Sequence, residues 1–168
     1  LRRFFSPQVA DLILAAADPD VVSPHKQDVT ICFVDLRGFT AFAEITEPAA
    51  VIRIIQEYYR VVCSIALSYG GTISSLAGDG IMVSFVSASG GVECAIAVQR
   101  SFAEHDWGDQ ASDHSIRVRI GLHTGEAIKE REDFFGKSVI LAARIASQAQ
   151  GEQVLVSSLL KALVDSSG

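Results

Sequence analysis

The sequence predicts an α+β fold in which an antiparallel sheet is covered by helices. Three observations predict it. The run Val29-Thr30-Ile31-Cys32-Phe33-Val34 is apolar and rich in β-branched residues, as a buried strand requires. Between Pro48 and Tyr69 the apolar residues recur at helical spacing. Two short strand-like stretches then meet at Gly78-Asp79-Gly80, a turn sequence that joins antiparallel strands.

The elements follow in order. Ser6 to Ala17 reads as a short helix: Ser6 caps it, Pro7 suits its first turn, and Val9, Leu12, Ile13 and Ala16 share a face. Asp18 to Gln27 is polar, holds two prolines and reads as a connector. Residues 1–27 are therefore taken as a linker helix and connector, and 28–168 as one folded domain. Val29 to Asp35 is the first strand. In the long helix, Val51, Ile54, Ile55, Tyr58, Val62, Ile65 and Tyr69 form the buried face, and Gly70-Gly71 ends it. Thr72 to Leu76 and Ile81 to Val86 form the hairpin. Gly91 to Phe102 is a second helix, and Glu104 to Ser115 an acidic loop. Ile116 to His123 is a strand, and Glu126 to Lys129 is expected to pair with it across Thr124-Gly125. Val139 to Ala149 is a third helix. Gln153 to Val156 is a strand, and Ser157 to Leu163 a helix capped by Ser157 or Ser158. The order is β-α-β-β-α-β with additions, the split βαβ or ferredoxin-like plan.

Composition bounds the function. The 168 residues suffice for one domain, and a hydrophobic content of 49% supplies its core. No apolar run reaches the length of a membrane span. A net charge of −6 argues against a nucleic-acid surface, which needs clustered Lys and Arg. Cys32, Cys63 and Cys94 are odd in number, lie inside predicted elements and lack zinc spacing, so they read as reduced core thiols in a cytoplasmic compartment. The chain opens at Leu1 rather than Met and is expected to be a segment of a longer protein.

Two aspartates carry the chemistry. Asp35 ends the first strand, and Asp79 sits in the hairpin turn. Taken singly each has a plain role, since Asp-Gly is a common hairpin turn and an aspartate can cap the turn that follows it. Taken as a pair at strand ends, two carboxylates would hold divalent metals beside a glycine-rich turn, which suggests phosphate chemistry.

The motifs around them resemble the class III nucleotidyl cyclase catalytic domain from near Asp28 to Val156. The resemblance rests on Phe33-Val34-Asp35-Leu36-Arg37-Gly38-Phe39-Thr40, on Gly78-Asp79-Gly80, on Arg119-Ile120-Gly121-Leu122-His123-Thr124-Gly125, and on Asp133-Phe134-Phe135-Gly136 leading to Ala142-Ala143-Arg144. It implies conversion of ATP, with GTP the other candidate, to a cyclic nucleotide and pyrophosphate. It also implies two Mg²⁺ or Mn²⁺ ions per site, held by Asp35, Asp79 and the Leu36 carbonyl, with the amides of Gly38, Phe39 and Thr40 around the phosphates. The catalytic cleft would lie between two chains in head-to-tail contact, so a homodimer has two equivalent clefts. Arg144 would reach the reacting phosphate of the partner's cleft. Asp133 would accept from the adenine amino group, which favours ATP.

Two positions depart from the family. Its purine-selecting lysine falls at Ser75, four residues before Asp79. Its ribose-orienting asparagine falls at Ile140, four residues before Arg144, and an isoleucine cannot hydrogen-bond. Loss of one preorganised polar group typically costs ~10²–10³ in rate. A C-terminal hairpin whose lysine contacts the terminal phosphates is expected to be missing, and a sensor or membrane module is expected upstream. The alternative reading is a weak or inactive cyclase-like domain that binds nucleotide or pairs with a complete cyclase chain. A diguanylate cyclase is disfavoured because Gly78-Asp79-Gly80 lacks the two-acid run of that hairpin. His25, His105, His114 and His123 share no ligand spacing. His123 is expected to be a packing residue, and Trp107 to cover the core or meet a partner.

Overall fold

Backbone pairing along His25–Arg37 organises the sheet. This strand, β1, lies between β3 (Gly80–Phe85) and β4 (Arg117–Glu130), antiparallel to both. The computed structural model describes residues 24–107, 116–130 and 133–166. The expected helix at Ser6 to Ala17 lies outside them, as does most of the acidic loop before Ile116. The other strands are β2 (Thr72–Ala77), β5 (Asp133–Phe135) and β6 (Val154–Val156). The helices are α1 (Phe39–Ile45), α2 (Pro48–Ser68), α3 (Ala88–Glu104), α4 (Lys137–Gln148) and α5 (Ser158–Asp165).

The six strands run in the order β2-β3-β1-β4-β5, with β6 also paired to β4. The far edge of β4 is shared: β6 lies parallel along Ile120–Leu122, and β5 antiparallel along Ile128–Glu130. The core β2-β3-β1-β4 order is the one a split βαβ plan requires, so the expected ferredoxin-like sandwich is present.

Strand alternation gives the sheet two different faces. Cys32, Val34 and Leu36 of β1 point with Ile81, Val83, Phe85, Val118, Ile120 and Leu122 into the main core under α2, α3 and α5. Val29, Ile31 and Phe33 point the other way, with Met82, Ala127 and Phe134, beneath α4. Asp35 continues this second set. Gly121 lets α4 sit close here: a Cβ on it would fall 2.1 Å from the Ala146 amide nitrogen.

Three expectations change. Glu126 to Lys129 does not fold back across Thr124-Gly125. β4 is continuous, because β1 is long enough to pair with it from Arg117 to Lys129. The hydroxyls of Thr30 and Thr124 lie 2.7 Å apart and pin the register where the turn was expected. β1 begins at His25, so the end of the expected connector is already strand. Helix α1 was not anticipated, because its apolar content, Phe39, Phe42 and Ile45, is too short a pattern to distinguish from a loop.

The thiols of Cys32, Cys63 and Cys94 are free, with the first and last buried. Burial pushes Cys94 up to about 11. No helix among the described residues is long and apolar enough to cross a membrane.

Candidate active site

Asp35 and Asp79 meet because β1 and the β2–β3 hairpin end together. Asp35 is in register with Gly80, the residue after Asp79. The Leu36 amide donates to the Asp79 carbonyl at 3.2 Å, which binds the two segments just where the carboxylates project. Gly78 holds φ +60, a conformation that suits a residue without Cβ at this tight turn.

Helix α2 fixes both segments from below with consecutive tyrosines. The Tyr58 hydroxyl is buried and donates to the Val34 carbonyl at 3.0 Å, one residue before Asp35. Tyr59 donates to the Gly78 carbonyl at 2.5 Å, one residue before Asp79. Burial pushes the Tyr58 hydroxyl well above its ordinary value, and the charges of Asp35 and Asp79 push it further.

Across the strand from Asp35 stands Arg119. Its Nε donates to Asp35 Oδ2 at 2.7 Å, and its Nη2 lies 2.5 Å from the same oxygen. Its Nη1 donates to the Ser147 carbonyl in the last turn of α4 at 3.3 Å. Burial raises the Asp35 carboxyl above the usual range. Arg119 opposes that rise, while Asp79 adds to it. A half-buried carboxylate beside a second carboxylate gains from any further cation, which favours the ionised form.

The donor set suits a hard divalent ion. The two carboxylates and the Leu36 carbonyl offer oxygen alone. Among the described residues no three of His, Cys, Asp and Glu converge on one point. Mg²⁺ is commonly held in this manner, by one or two carboxylates with substrate phosphates and water completing its shell.

Gly38, Phe39 and Thr40 open α1. Gly38 is its N-cap at φ 75, and its carbonyl accepts from Phe42 at 3.1 Å. The first amides of a helix have no partner within it and face outward from its start. Only Arg37 separates these three residues from Asp35 and Leu36, so they lie close to Asp35 along the chain.

The remaining candidates sit elsewhere on the chain. Ser75 is exposed on β2, opposite Met82, just after a bulge between Ile73 and Ser75. Asp133 starts β5 and is half-buried, its Oδ1 accepting from the Phe134 amide at 3.1 Å. Phe134 carries β5 back over the second face, beside Val29, Ile31 and Met82. Ile140 and Arg144 are one helical turn apart on α4, and both are exposed, Ile140 to 56%. Among the described residues no hydrogen bond or ion pair joins Arg144 to either aspartate.

Arg119, Tyr58 and Tyr59 were not singled out as site residues. Tyr58 was recognised as a core residue, and its hydroxyl bond could not be foreseen without the strand beneath it. Arg119 lies in a quoted motif, but only the β1–β4 register sets it against Asp35. His123 is buried as expected, and its Nδ1 lies 2.8 Å from the Ser157 hydroxyl. His105 pairs with Glu57 at 3.0 Å, and Trp107 packs between His105 and Phe102 over the core.

Residues 21–167 match the family described as "Adenylate and Guanylate cyclase catalytic domain". The adenylate cyclase of Mycosarcoma maydis is 30% identical over 178 aligned positions, covering 93% of this chain and 7% of its own. Other curated relatives are likewise covered over about a third of their length or less. Among solved structures, the adenylyl cyclase CyaB from P. aeruginosa superposes with a TM-score of 0.79 at 27% identity, over 86% of this chain and 84% of that one. The guanylyl cyclase Cya2 gives 0.77 at 27% identity, over 88% and 81%.

Proposed function

Because the chain belongs to the adenylate and guanylate cyclase catalytic domain family, we propose that it forms the catalytic part of a longer protein that converts ATP to cyclic AMP and pyrophosphate. The observation that carries this reading is the union of Asp35 and Asp79 at adjoining strand ends, sealed by the bond from Leu36 to the Asp79 carbonyl.

In the reaction the ribose 3′-hydroxyl gives up its proton to solvent and its oxygen forms a bond to the α-phosphorus, the bond from that phosphorus to the bridging oxygen breaks, and pyrophosphate leaves with the electron pair. Asp35, Asp79 and the Leu36 carbonyl would hold Mg²⁺ or Mn²⁺, which would supply Lewis-acid stabilisation of the charge that develops in the reaction. The amides of Gly38, Phe39 and Thr40 bind phosphate oxygens at the start of α1. Arg144 acts in the cleft of a second copy, which accords with its exposure and with the lack of any bond to its own chain's aspartates. Asp133 accepts from the adenine amino group, and Ser75 adds one hydroxyl to base selection. The proteins similar to this chain include both adenylyl and guanylyl cyclases, and on this reading Asp133 makes the choice of ATP.

The free thiols support a reducing, cytoplasmic setting. A sensor or membrane module upstream is supported by the greater length of the relatives, some of which are receptor-type adenylate cyclases.

A second reading is favoured by one observation. Ile140 is exposed and apolar where the resemblance asks for a ribose-orienting asparagine. On that reading the domain turns over weakly or not at all and serves as the partner of a complete cyclase chain.

The test is cyclic nucleotide production by the full-length protein, with ATP and GTP offered separately, with Mg²⁺ and then Mn²⁺, beside Asp35→Ala. Cyclic AMP that disappears in the variant is the expected result. Cyclic GMP alone would overturn the role of Asp133. No product under any condition would leave the regulatory reading.

A further inference from the structure

We propose that Arg119 is the resident cation of the carboxylate pair. In the metal-free protein it occupies Asp35, and a divalent ion must displace it to bind there. This rests on the reading of Asp35 as a metal ligand.

The geometry is specific. Arg119 stands directly across β1–β4 from Asp35, on the sheet face that carries the candidate site. Two of its nitrogens converge on one carboxylate oxygen, Oδ2, at 2.7 and 2.5 Å. Its third nitrogen is tied to the Ser147 carbonyl, so the fork is held at both ends rather than swinging in solvent. Each side chain of the pair is only 23% exposed, which limits screening by water and salt.

Mutual exclusion follows from charge. A guanidinium and a divalent cation on the same oxygen repel strongly at these distances. The ion pair also has a reason to exist without metal, since it offsets the repulsion between Asp35 and Asp79. The same side chain therefore stabilises the empty site and opposes its filling.

The exchange reaches beyond the carboxylate. When Arg119 leaves Asp35 its contact to Ser147 is also free to change. The Ser147 hydroxyl donates to the Arg144 carbonyl at 2.7 Å. Occupation of one chain's aspartates is thereby connected to the turn of α4 that carries Arg144.

The test is Mn²⁺ binding without nucleotide, read by the EPR signal of free Mn²⁺ and by thermal melting with and without the ion. The full chain is compared with Arg119→Gln, Arg119→Lys and Asp35→Ala. Arg119→Gln is expected to bind Mn²⁺ about tenfold more tightly than the parent. It should melt lower without the ion and gain more from it. Arg119→Lys keeps the charge but loses the fork, so it should bind with intermediate affinity and serves if the glutamine variant folds poorly. A general loss of structure would weaken Mn²⁺ binding, so tighter binding cannot arise from damage. Affinity in both arginine variants equal to or weaker than the parent, with Asp35→Ala still losing the ion, overturns the proposal alone. Unchanged affinity in Asp35→Ala overturns the metal reading beneath it as well.

Discussion

Tyr58 and Tyr59 are consecutive in α2 yet serve different strands, the first holding Val34 and the second Gly78. Adjacent helix positions diverge by about 100°, so one side chain enters the core and the other reaches along its border. The two bonds differ in what their loss exposes. Removing the Tyr58 hydroxyl takes a second donor from a buried carbonyl that keeps its ladder pairing but is out of reach of water, whereas the Gly78 carbonyl lies where water can replace Tyr59. Tyr58→Phe is therefore expected to cost ~0.5–1.5 kcal/mol and Tyr59→Phe clearly less. Urea denaturation of the two variants would check this, and equal losses would contradict the difference in burial.

At the scale of elements, the junction of β4 and α5 has a pH dependence of its own. His123 on β4 bonds the Ser157 hydroxyl, which also caps α5 by accepting from the Leu160 amide at 3.2 Å. Burial holds the His123 imidazole below its ordinary value. As pH falls, the unfolded chain takes up that proton before the folded one. The stabilisation from neutral His123 is complete above about pH 6.5 and declines as pH drops through the folded value. The urea midpoint should fall between pH 7.5 and 5.5 by more in the parent than in His123→Gln. An identical fall in both would show that His123 contributes nothing to it.

These same elements show what the sequence could disclose. Val29 to Val34, the α2 face and the Gly78-Asp79-Gly80 hairpin announce themselves through local periodicity and turn chemistry. The continuity of β4 does not. Thr124-Gly125 looks like a turn locally, and only a partner strand as long as β1 keeps it extended. Asp35 and Asp79 were legible as a pair because each sits in its own recognisable setting. Arg119 was not, because its position against Asp35 is a matter of cross-strand register, which no neighbouring residue encodes. Arg144 and Ile140 were legible as positions, and both are exposed on α4.

At the scale of the molecule, the proposed division of labour between two copies makes a quantitative forecast. If aspartates and Arg144 serve different clefts, Asp35→Ala and Arg144→Ala are each inactive alone as homodimers. Mixed and allowed to exchange, half of the dimers pair one variant with the other, and each such dimer contains one intact cleft. Activity should return to about a quarter of the parent's. Assay of the mixture against each variant alone checks this, and no recovery would mean that each chain works on its own nucleotide.

The Thr30–Thr124 contact has a consequence for insertions and deletions. It sits five residues from both Asp35 and Arg119 along their strands. Side chains alternate sides along an extended chain, so parity decides which way each points. Gain or loss of a single residue in either stretch would turn one member of the ion pair toward the greasy interior while its mate stayed put. Changes by two would keep both on one side and merely slide them past each other. Length in these two stretches is therefore counted in pairs, a constraint that substitutions alone would never expose.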